Sequence, residues 1–453
     1  MFSCRLVAIA GIAFLTLPTV SPAPAAEKRP PNLIVVLADD LGAKELGCYG
    51  NREHQTPHLD RLAAEGVRFE TCYATPLCTP TRVATMTGQY AFRTGYFHMA
   101  GRPLTPRRDS PEYDIGAKFT FADLLKTRGY ATALAGKWQL TGTLPTLIRD
   151  CGFDEYRMWA YRSNLPPGVS HPGTEEGKEM TSRYWQPCIV ENGRYLPTKP
   201  DDYGPDMFTD FVLDFAKRNR ERPFFVYFTM PMTHGPHVET PDPANPGKRR
   251  PGGFKSNLEY LDHVMGRMVR SLDAMGLREN TVIIFVGDNG TAGSGKGQIS
   301  ELGCRVPLIV RCPGTVRAGI VSPALTDITD IFATLADFAG ATIPKDHPVD
   351  GTSLVPTLRG ETNRGREWIF SFLGRGRILR DRRWLLELRG DGTERFYDCG
   401  DRRDGTGYRD VTRSDDPEVK AARARFAALL ERLPGPENHP NLVPESARGN
   451  RAQ

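Results

Sequence analysis

The 453-residue sequence contains no apolar run long enough to cross a bilayer as a helix, so no stable membrane span is expected. Its nine cysteines include no Cys-x-x-Cys pair, which argues against a structural zinc site. There is no internal repeat, which argues against a solenoid. Aromatic and basic residues do not interleave and no nucleic-acid motif occurs. The formal net charge of +5 is compatible with an acidic substrate but gives no reason to expect nucleic acid as a partner. The 45 glycines and 37 prolines fall short of a low-complexity composition. What remains is an ordinary globular composition, long enough for one large domain with an appendage or for two domains.

Residues 1–26 have the three parts of a secretory signal in order. Arg5 supplies a basic start, Leu6 to Leu17 an apolar stretch, and Ala23-Pro24-Ala25-Ala26 a small-residue cleavage zone. The mature protein is therefore expected to be exported, either periplasmic or secreted. Such a compartment permits disulfides, but spacing alone does not pair cysteines.

The chain is organised around Leu77-Cys78-Thr79-Pro80-Thr81-Arg82-Val83-Ala84-Thr85-Met86-Thr87-Gly88. Thr79 is expected to cap a helix with Pro80 at its first position and Gly88 as its stop. That places Cys78 at the positive end of the helix dipole and Arg82 about one turn further in. Both favour an anion beside residue 78, whether a thiolate or a bound ligand. By itself, a lone cysteine here is equally a small buried apolar residue.

Four apolar segments read as strands, each ending in a polar cluster. Asn32 to Ala38 ends at Asp39-Asp40, and Tyr130 to Ala135 leads to Lys137. Pro223 to Phe228 delivers His234 and His237, and Thr281 to Val286 ends at Asp288-Asn289. Adjacent carboxylates suit a hard divalent cation, although Asp-Asp-Leu-Gly is also good turn chemistry. Helices are expected from Thr56-Pro57 to Glu65, Thr120 to Thr127, Asp206 to Asn219 and Asn257 to Met275. Residues 141–205, rich in Pro, Tyr, Trp and Arg, read as an irregular substrate-facing region. The joint pattern predicts an α/β protein with a large central, mostly parallel sheet flanked by helices. Ligands bind outside the carboxyl ends of such strands, so the clusters can converge on one mouth.

Cys78-x-Pro80-x-Arg82 followed by Met86-Thr87-Gly88 resembles the signature of the sulfatases, in the alkaline-phosphatase-like superfamily. Asp39-Asp40-Leu41-Gly42, Gly136-Lys137-Trp138, His234-x-Pro236, Asp288-Asn289-Gly290 and Lys296 resemble further segments of that family. The resemblance implies that Cys78 is converted to formylglycine by a maturation enzyme. It implies a Ca2+ site made by Asp39, Asp40, Cys78, Asp288 and Asn289. It also implies catalytic roles for Cys78, Arg82, Lys137, His234 and Lys296 in hydrolysing a sulfate ester of a small molecule or glycan, with sulfated carbohydrate as the favoured substrate. Gln139 stands where the family usually has histidine; Gln139 and His237 are expected at the substrate, with proton transfer at residue 78 passed to His237 or a calcium-bound water. The expected organisation is a signal at 1–26, a catalytic domain at 27–360, a small C-terminal α+β subdomain at 361–435 and a mobile tail at 436–453. The alternatives are a phosphonate monoester or phosphodiester hydrolase of the same superfamily, or a non-catalytic sulfated-glycan-binding pseudoenzyme.

Overall fold

The computed structural model describes residues 1–2, 29–142, 146–174, 182–361 and 365–444. The expected signal therefore lies outside the described residues, apart from Met1 and Phe2. Among the described residues no helix is long and apolar enough to cross a membrane.

The strands in chain order are β1 (Asn32–Ala38), β2 (Val67–Tyr73), β3 (Ala131–Lys137), β4 (Glu155–Trp159), β5 (Ile189–Glu191), β6 (Arg194–Leu196) and β7 (Phe224–Thr229). A short ribbon of β8 (Thr240–Pro241) and β9 (Arg249–Arg250) follows, then β10 (Thr281–Gly287), β11 (Arg305–Arg311) and β12 (Ile320–Asp327). All but the ribbon form one ten-stranded sheet in the order β12-β2-β11-β10-β1-β7-β3-β4-β5-β6. From β10 through β1, β7 and β3 to β4 the pairing is parallel. Antiparallel pairs sit to either side, at β10–β11, β11–β2, β4–β5 and β5–β6.

Every residue of β1, β3, β7 and β10 is buried, as uninterrupted apolar runs covered on both faces require. The register of β1 on β10 runs from Asn32↔Thr281 to Ala38↔Gly287. The next residue on each strand is an aspartate, so the pairing sets Asp39 and Asp288 side by side. The same sheet brings Gly136, just before Lys137, opposite Thr229. Gly136 has φ +100°, and a Cβ there would lie 2.1 Å from the Thr229 carbonyl oxygen. Only glycine lets β3 carry Lys137 this close to β7.

The structure differs from the sequence expectations at several elements. Residues 141–205 are not simply irregular, since they supply β4, β5 and β6 and extend the sheet. Most of their aromatics are core: Tyr156, Trp159, Tyr184 and Tyr203 are buried. These strands are short and mixed in polarity, which hides them from a periodicity reading. The strands β2, β11 and β12 are likewise absent from the sequence expectations. By contrast, the helix after Thr120 has its full capping box, with Asp123 bonding back to the Thr120 N–H at 3.0 Å. The eight described cysteines are all free thiols.

Beyond residue 365, β13 (Trp368–Leu373), β14 (Gly376–Asp381), β15 (Trp384–Leu388), β16 (Glu394–Asp398) and β17 (Arg409–Asp410) form an antiparallel five-stranded sheet. The helix Pro417–Glu431 packs Phe426 edge-on against Phe396 at 5.4 Å. This small sheet joins the large one through Tyr73, Leu325, Ile369 and Ile378, and through Tyr73 and Arg380, which both bond Glu301. Of the tail expected at 436–453 the structure describes residues 436–444, where the Val443 N–H donates to Thr105 at 2.8 Å and the Leu104 N–H to Val443 at 3.0 Å.

This packing makes two properties measurable. Gly136→Ala should lose more than about 1 kcal/mol of stability in denaturant titration, because both φ and the Thr229 carbonyl oppose a side chain; a variant as stable as the parent would contradict this. The second property concerns Asp262, on the helix Phe254–Ala274, which accepts from the Leu59 N–H at 2.7 Å and the His58 N–H at 3.2 Å. Burial pushes its carboxyl up to about 7 despite those two amides. A folded value above the unfolded one favours the protonated folded form, so this contribution is present in acid and is lost as pH rises from about 4 to about 7. Asp262→Asn should therefore lose less stability than the parent between pH 5 and pH 8, and identical pH profiles would refute that role for Asp262.

Candidate active site

The helix carrying the signature runs Cys78–Thr87 and is buried throughout. It starts one residue earlier than expected: Leu77 occupies the cap position with no side-chain bond, and Thr79 is already helical. The entry is secured instead by Thr81, whose hydroxyl accepts from the Thr75 N–H at 3.0 Å. Gly88 ends the helix at φ +68°, as expected. Cys78 donates its thiol hydrogen to Gln139 Oε1 at 2.9 Å. Burial pushes this thiol up, against the pull of Lys137, so a helix N-terminus does not make it a thiolate here.

The acidic turns meet above the carboxyl ends of β1 and β10. The Asp40 N–H donates to Asp288 Oδ1 at 2.9 Å, and Asn289 Nδ2 donates to Asp40 Oδ1 at 2.8 Å. One carboxylate oxygen each from Asp39 and Asp288, with Cys78 Sγ, lie within 4.8 Å of one another. Ligand atoms of Asp39, Asp40 and His234 form a second such group. Asp39 Oδ1 and Asn289 Oδ1 are buried with no hydrogen-bond partner. Burial and the charge of Asp39 push the Asp288 carboxyl up to about 8, against the pull of Arg82 and Lys137. Burial opposes ionisation of Asp39 too, but Lys137, His234, Arg82 and Arg183 together hold it well below the usual carboxylate range. Orphaned oxygens within a buried, mutually repelling acid cluster fit a hard divalent cation.

Basic groups ring the acids. Lys137 Nζ lies 2.6 Å from Asp39 Oδ2, and Arg82 Nη2 lies 3.1 Å from Asp288 Oδ2. Arg82 also donates through Nη1 to the Lys137 carbonyl at 2.9 Å, and Lys296 Nζ lies 2.7 Å from Asp40 Oδ1. His234 Nε2 is 3.8 Å from Asp40 Oδ2, while its Nδ1 lies 2.6 Å from the Gly235 carbonyl and donates to it. Burial pushes this imidazole down to about 4, despite the nearby carboxylates.

The Sulfatase family matches residues 31–341. The chain belongs to the sulfatase family. It is 32% identical to the steryl-sulfatase of Mus musculus over 78% of this chain and 69% of that protein. It is also 32% identical to the N-acetylgalactosamine-6-sulfatase of Homo sapiens, over 73% of this chain and 66% of that protein. It therefore spans about two thirds of these relatives' lengths. A solved protein from a glycosaminoglycan-metabolising locus of Bacteroides thetaiotaomicron shares the fold, with TM-score 0.71 at 24% identity over 90% of this chain and 99% of that one. Sulfatases are sulfuric ester hydrolases, and this chain is an enzyme of that class.

Of the residues expected at the sulfatase site, Asp39, Asp40, Cys78, Arg82, Lys137, Gln139, His234, Asp288, Asn289 and Lys296 converge in the structure. His237 makes no contact with these residues that the structure shows: its Nε2 bonds the Thr233 carbonyl at 2.9 Å and its ring lies against Phe254 at 5.5 Å. Sequence reading missed Arg183, whose Nη1 lies 3.6 Å from Asp39 Oδ2. It also missed Thr291, which accepts from the Gly42 N–H at 3.1 Å and donates to Glu45 at 3.0 Å, tying the two acidic turns together. Neither has a motif, although the tryptophan and tyrosine around Arg183 were a compositional hint.

A cation that binds only the folded cluster should stabilise the protein. Calcium at a hundred times its dissociation constant should add about 2.7 kcal/mol, read as a rise in melting temperature. Asp288→Asn should lose most of that rise, and an equal rise in the variant would place the cation elsewhere.

Proposed function

We propose that this sulfatase holds Ca2+ with Asp39, Asp40, Asp288, Asn289 and residue 78, and that Cys78 is converted to formylglycine by a maturation enzyme. The observation that carries this reading is the Cys78 sulfur within 4.8 Å of the carboxylate oxygens of Asp39 and Asp288. Sulfur is a poor partner for a hard cation and an oxygen is a good one. The sulfur thus stands in for an oxygen of the converted side chain. Formylglycine at residue 78 would supply a hydrated aldehyde as acceptor for the sulfate group while the ester alcohol departs, its second hydroxyl would release the sulfate, and calcium held by these residues would supply charge that favours the ionised hydroxyl.

The chain's own groups then divide the remaining work. Lys137 and Lys296 hold sulfate oxygens and offset charge as the ester bond breaks. Arg82, held by Asp288 and the Lys137 carbonyl, steadies the anionic side of residue 78. His234, with Nδ1 donating to Gly235, presents Nε2 as an acceptor in the resting site. Approach of an anionic substrate favours a proton on Nε2, from which His234 serves the departing alcohol. Gln139 already bonds residue 78, and its amide orients a hydroxyl without acting as a base near neutral pH.

The substrate proposed is a sulfated saccharide met outside the cytoplasm. The signal-like N-terminus supports export. The N-acetylgalactosamine-6-sulfatase relative supports a sugar, as does a fold neighbour bound to its substrate D-glucosamine-2-N,6-O-disulfate, with TM-score 0.70 at 22% identity. The steryl-sulfatase relative makes a sulfated sterol the natural comparison.

The test has two readouts on matured protein. Mass spectrometry of the peptide containing residue 78 should show formylglycine, and full activity from protein carrying only cysteine there would sink the proposal. Rates should favour aryl sulfate over aryl phosphodiester, and defined sulfated saccharides over sulfated sterol; the reverse order would overturn the corresponding part. Because Gln139 is no base, rapid mixing with an aryl sulfate should give a burst of alcohol before the steady state. A linear time course, with turnover unchanged in Gln139→Ala, would make Gln139 a spectator.

A further inference from the structure

Arg183 is fully buried, an unusual place for a guanidinium. It reaches the site from a segment remote in sequence from every motif. Its position follows from the sheet register: β3 on β4 sets Lys137 beside Trp159, and the Arg183 guanidinium carbon sits 4.1 Å over the Trp159 ring. Trp159 is itself fastened to the residue before Arg183, its Nε1 donating to Ser182 Oγ at 2.9 Å. Arg183 and Lys137 therefore approach the same atom. Lys137 Nζ lies 2.6 Å from Asp39 Oδ2 and Arg183 Nη1 lies 3.6 Å from it. The other oxygen, Asp39 Oδ1, belongs to the proposed cation site.

Two cations on one oxygen matter if Lys137 binds sulfate, as the proposed function holds. Lys137 Nζ is already committed to Asp39, and turning it to a sulfate oxygen would strip a buried carboxylate of its nearest cation. That is costly unless a second cation stays behind. Arg82 Nη2 lies 3.9 Å from the other oxygen, Oδ1, so on Oδ2 itself Arg183 is the cation that can stay, always charged and with its planar group fixed by stacking on tryptophan. At 3.6 Å it also has room to close on Asp39 once Lys137 leaves.

We propose that Arg183 is a positioning residue that stays on Asp39 as a standing counter-charge and so frees Lys137 to engage the sulfate. The inference rests on the sulfatase reading of Lys137 given above.

The experiment is a double-mutant cycle on matured, calcium-loaded protein, reading the inhibition constant of inorganic sulfate, with kcat and KM on an aryl sulfate alongside. Arg183→Met and Lys137→Ala should each weaken sulfate binding by about tenfold or more, the effect of losing one charge-assisted contact. The double variant should be no weaker than Lys137→Ala alone, because Arg183 acts only through that lysine. Calcium affinity, measured directly by calorimetry, should stay within about threefold of the parent, whereas general damage to the fold would lower it. Arg183→Lys should recover part of the sulfate affinity. If Arg183→Met does not fold, Arg183→Lys and Trp159→Phe are read in the same cycle, where smaller losses with the same coupling are expected. Additive losses, or sulfate affinity untouched by any change at residue 183, would overturn the inference. A parent that neither hydrolyses aryl sulfate nor binds sulfate would instead overturn the sulfatase reading of the site, and this inference with it.

Discussion

Three carboxylates are forced together at the carboxyl ends of β1 and β10, and the surrounding site answers to that repulsion. The cause is backbone register, since a parallel pair ending at Ala38 and Gly287 must place Asp39 and Asp288 alongside each other. In a buried setting such charges are tolerable only when paired or bound to a cation. Arg82, Lys137, Arg183 and Lys296 each reach an acid from a different element: the signature helix, β3, the segment before the helix Gly204–Arg218, and the glycine-rich turn after β10. Asp39 Oδ1 and Asn289 Oδ1 are left without a hydrogen bond, as the proposed cation site requires.

The same charge arrangement gives the site its chemistry. Charged side chains already placed around the site supply preorganised charge, the main source of stabilisation for charge that develops in a reaction. Of the four cations facing the acids, the proposed mechanism turns Lys137 and Lys296 to sulfate and leaves Arg82 and Arg183 on the acids, so resting structure and reaction share part of one set of contacts. Beneath them, Thr291 links the two acidic turns through Gly42 and Glu45, which fixes their separation without contributing charge. The C-terminal sheet braces this region from outside. Tyr73 on β2 and Arg380 on β14 share Glu301, just beyond the Lys296 turn.

Much of this was legible in the linear sequence where the physics is local. Uninterrupted apolar runs mark β1, β7 and β10 because strands buried on both faces admit little else. Polar residues closing those runs mark the site, because side chains just beyond parallel strands share one edge of the sheet. Gly88 as a helix stop and Thr120 as a cap are also local facts, set by backbone conformation and by a hydroxyl two or three residues from the amides it serves.

What the sequence could not specify depends on distant groups. The strands β4, β5 and β6 are too short and mixed to declare themselves, and exist as strands because the edge of β3 is there to pair with. Helix position suggested an anion beside Cys78, a thiolate or a bound ligand, and burial, which pushes the thiol up, argues against the thiolate. His237 shares a loop with His234 yet is held on Phe254, from a helix that follows in the chain. Arg183 lies 144 positions from Asp39, and nothing local aims it there; the aim is set by Trp159 beside Lys137 in the sheet. Apolar patterning and turn chemistry thus determined the parallel strands and the residues at their ends. Burial and long-range pairing, which depend on atoms brought close only by the fold, decided which of those residues carry charge and which partners they keep.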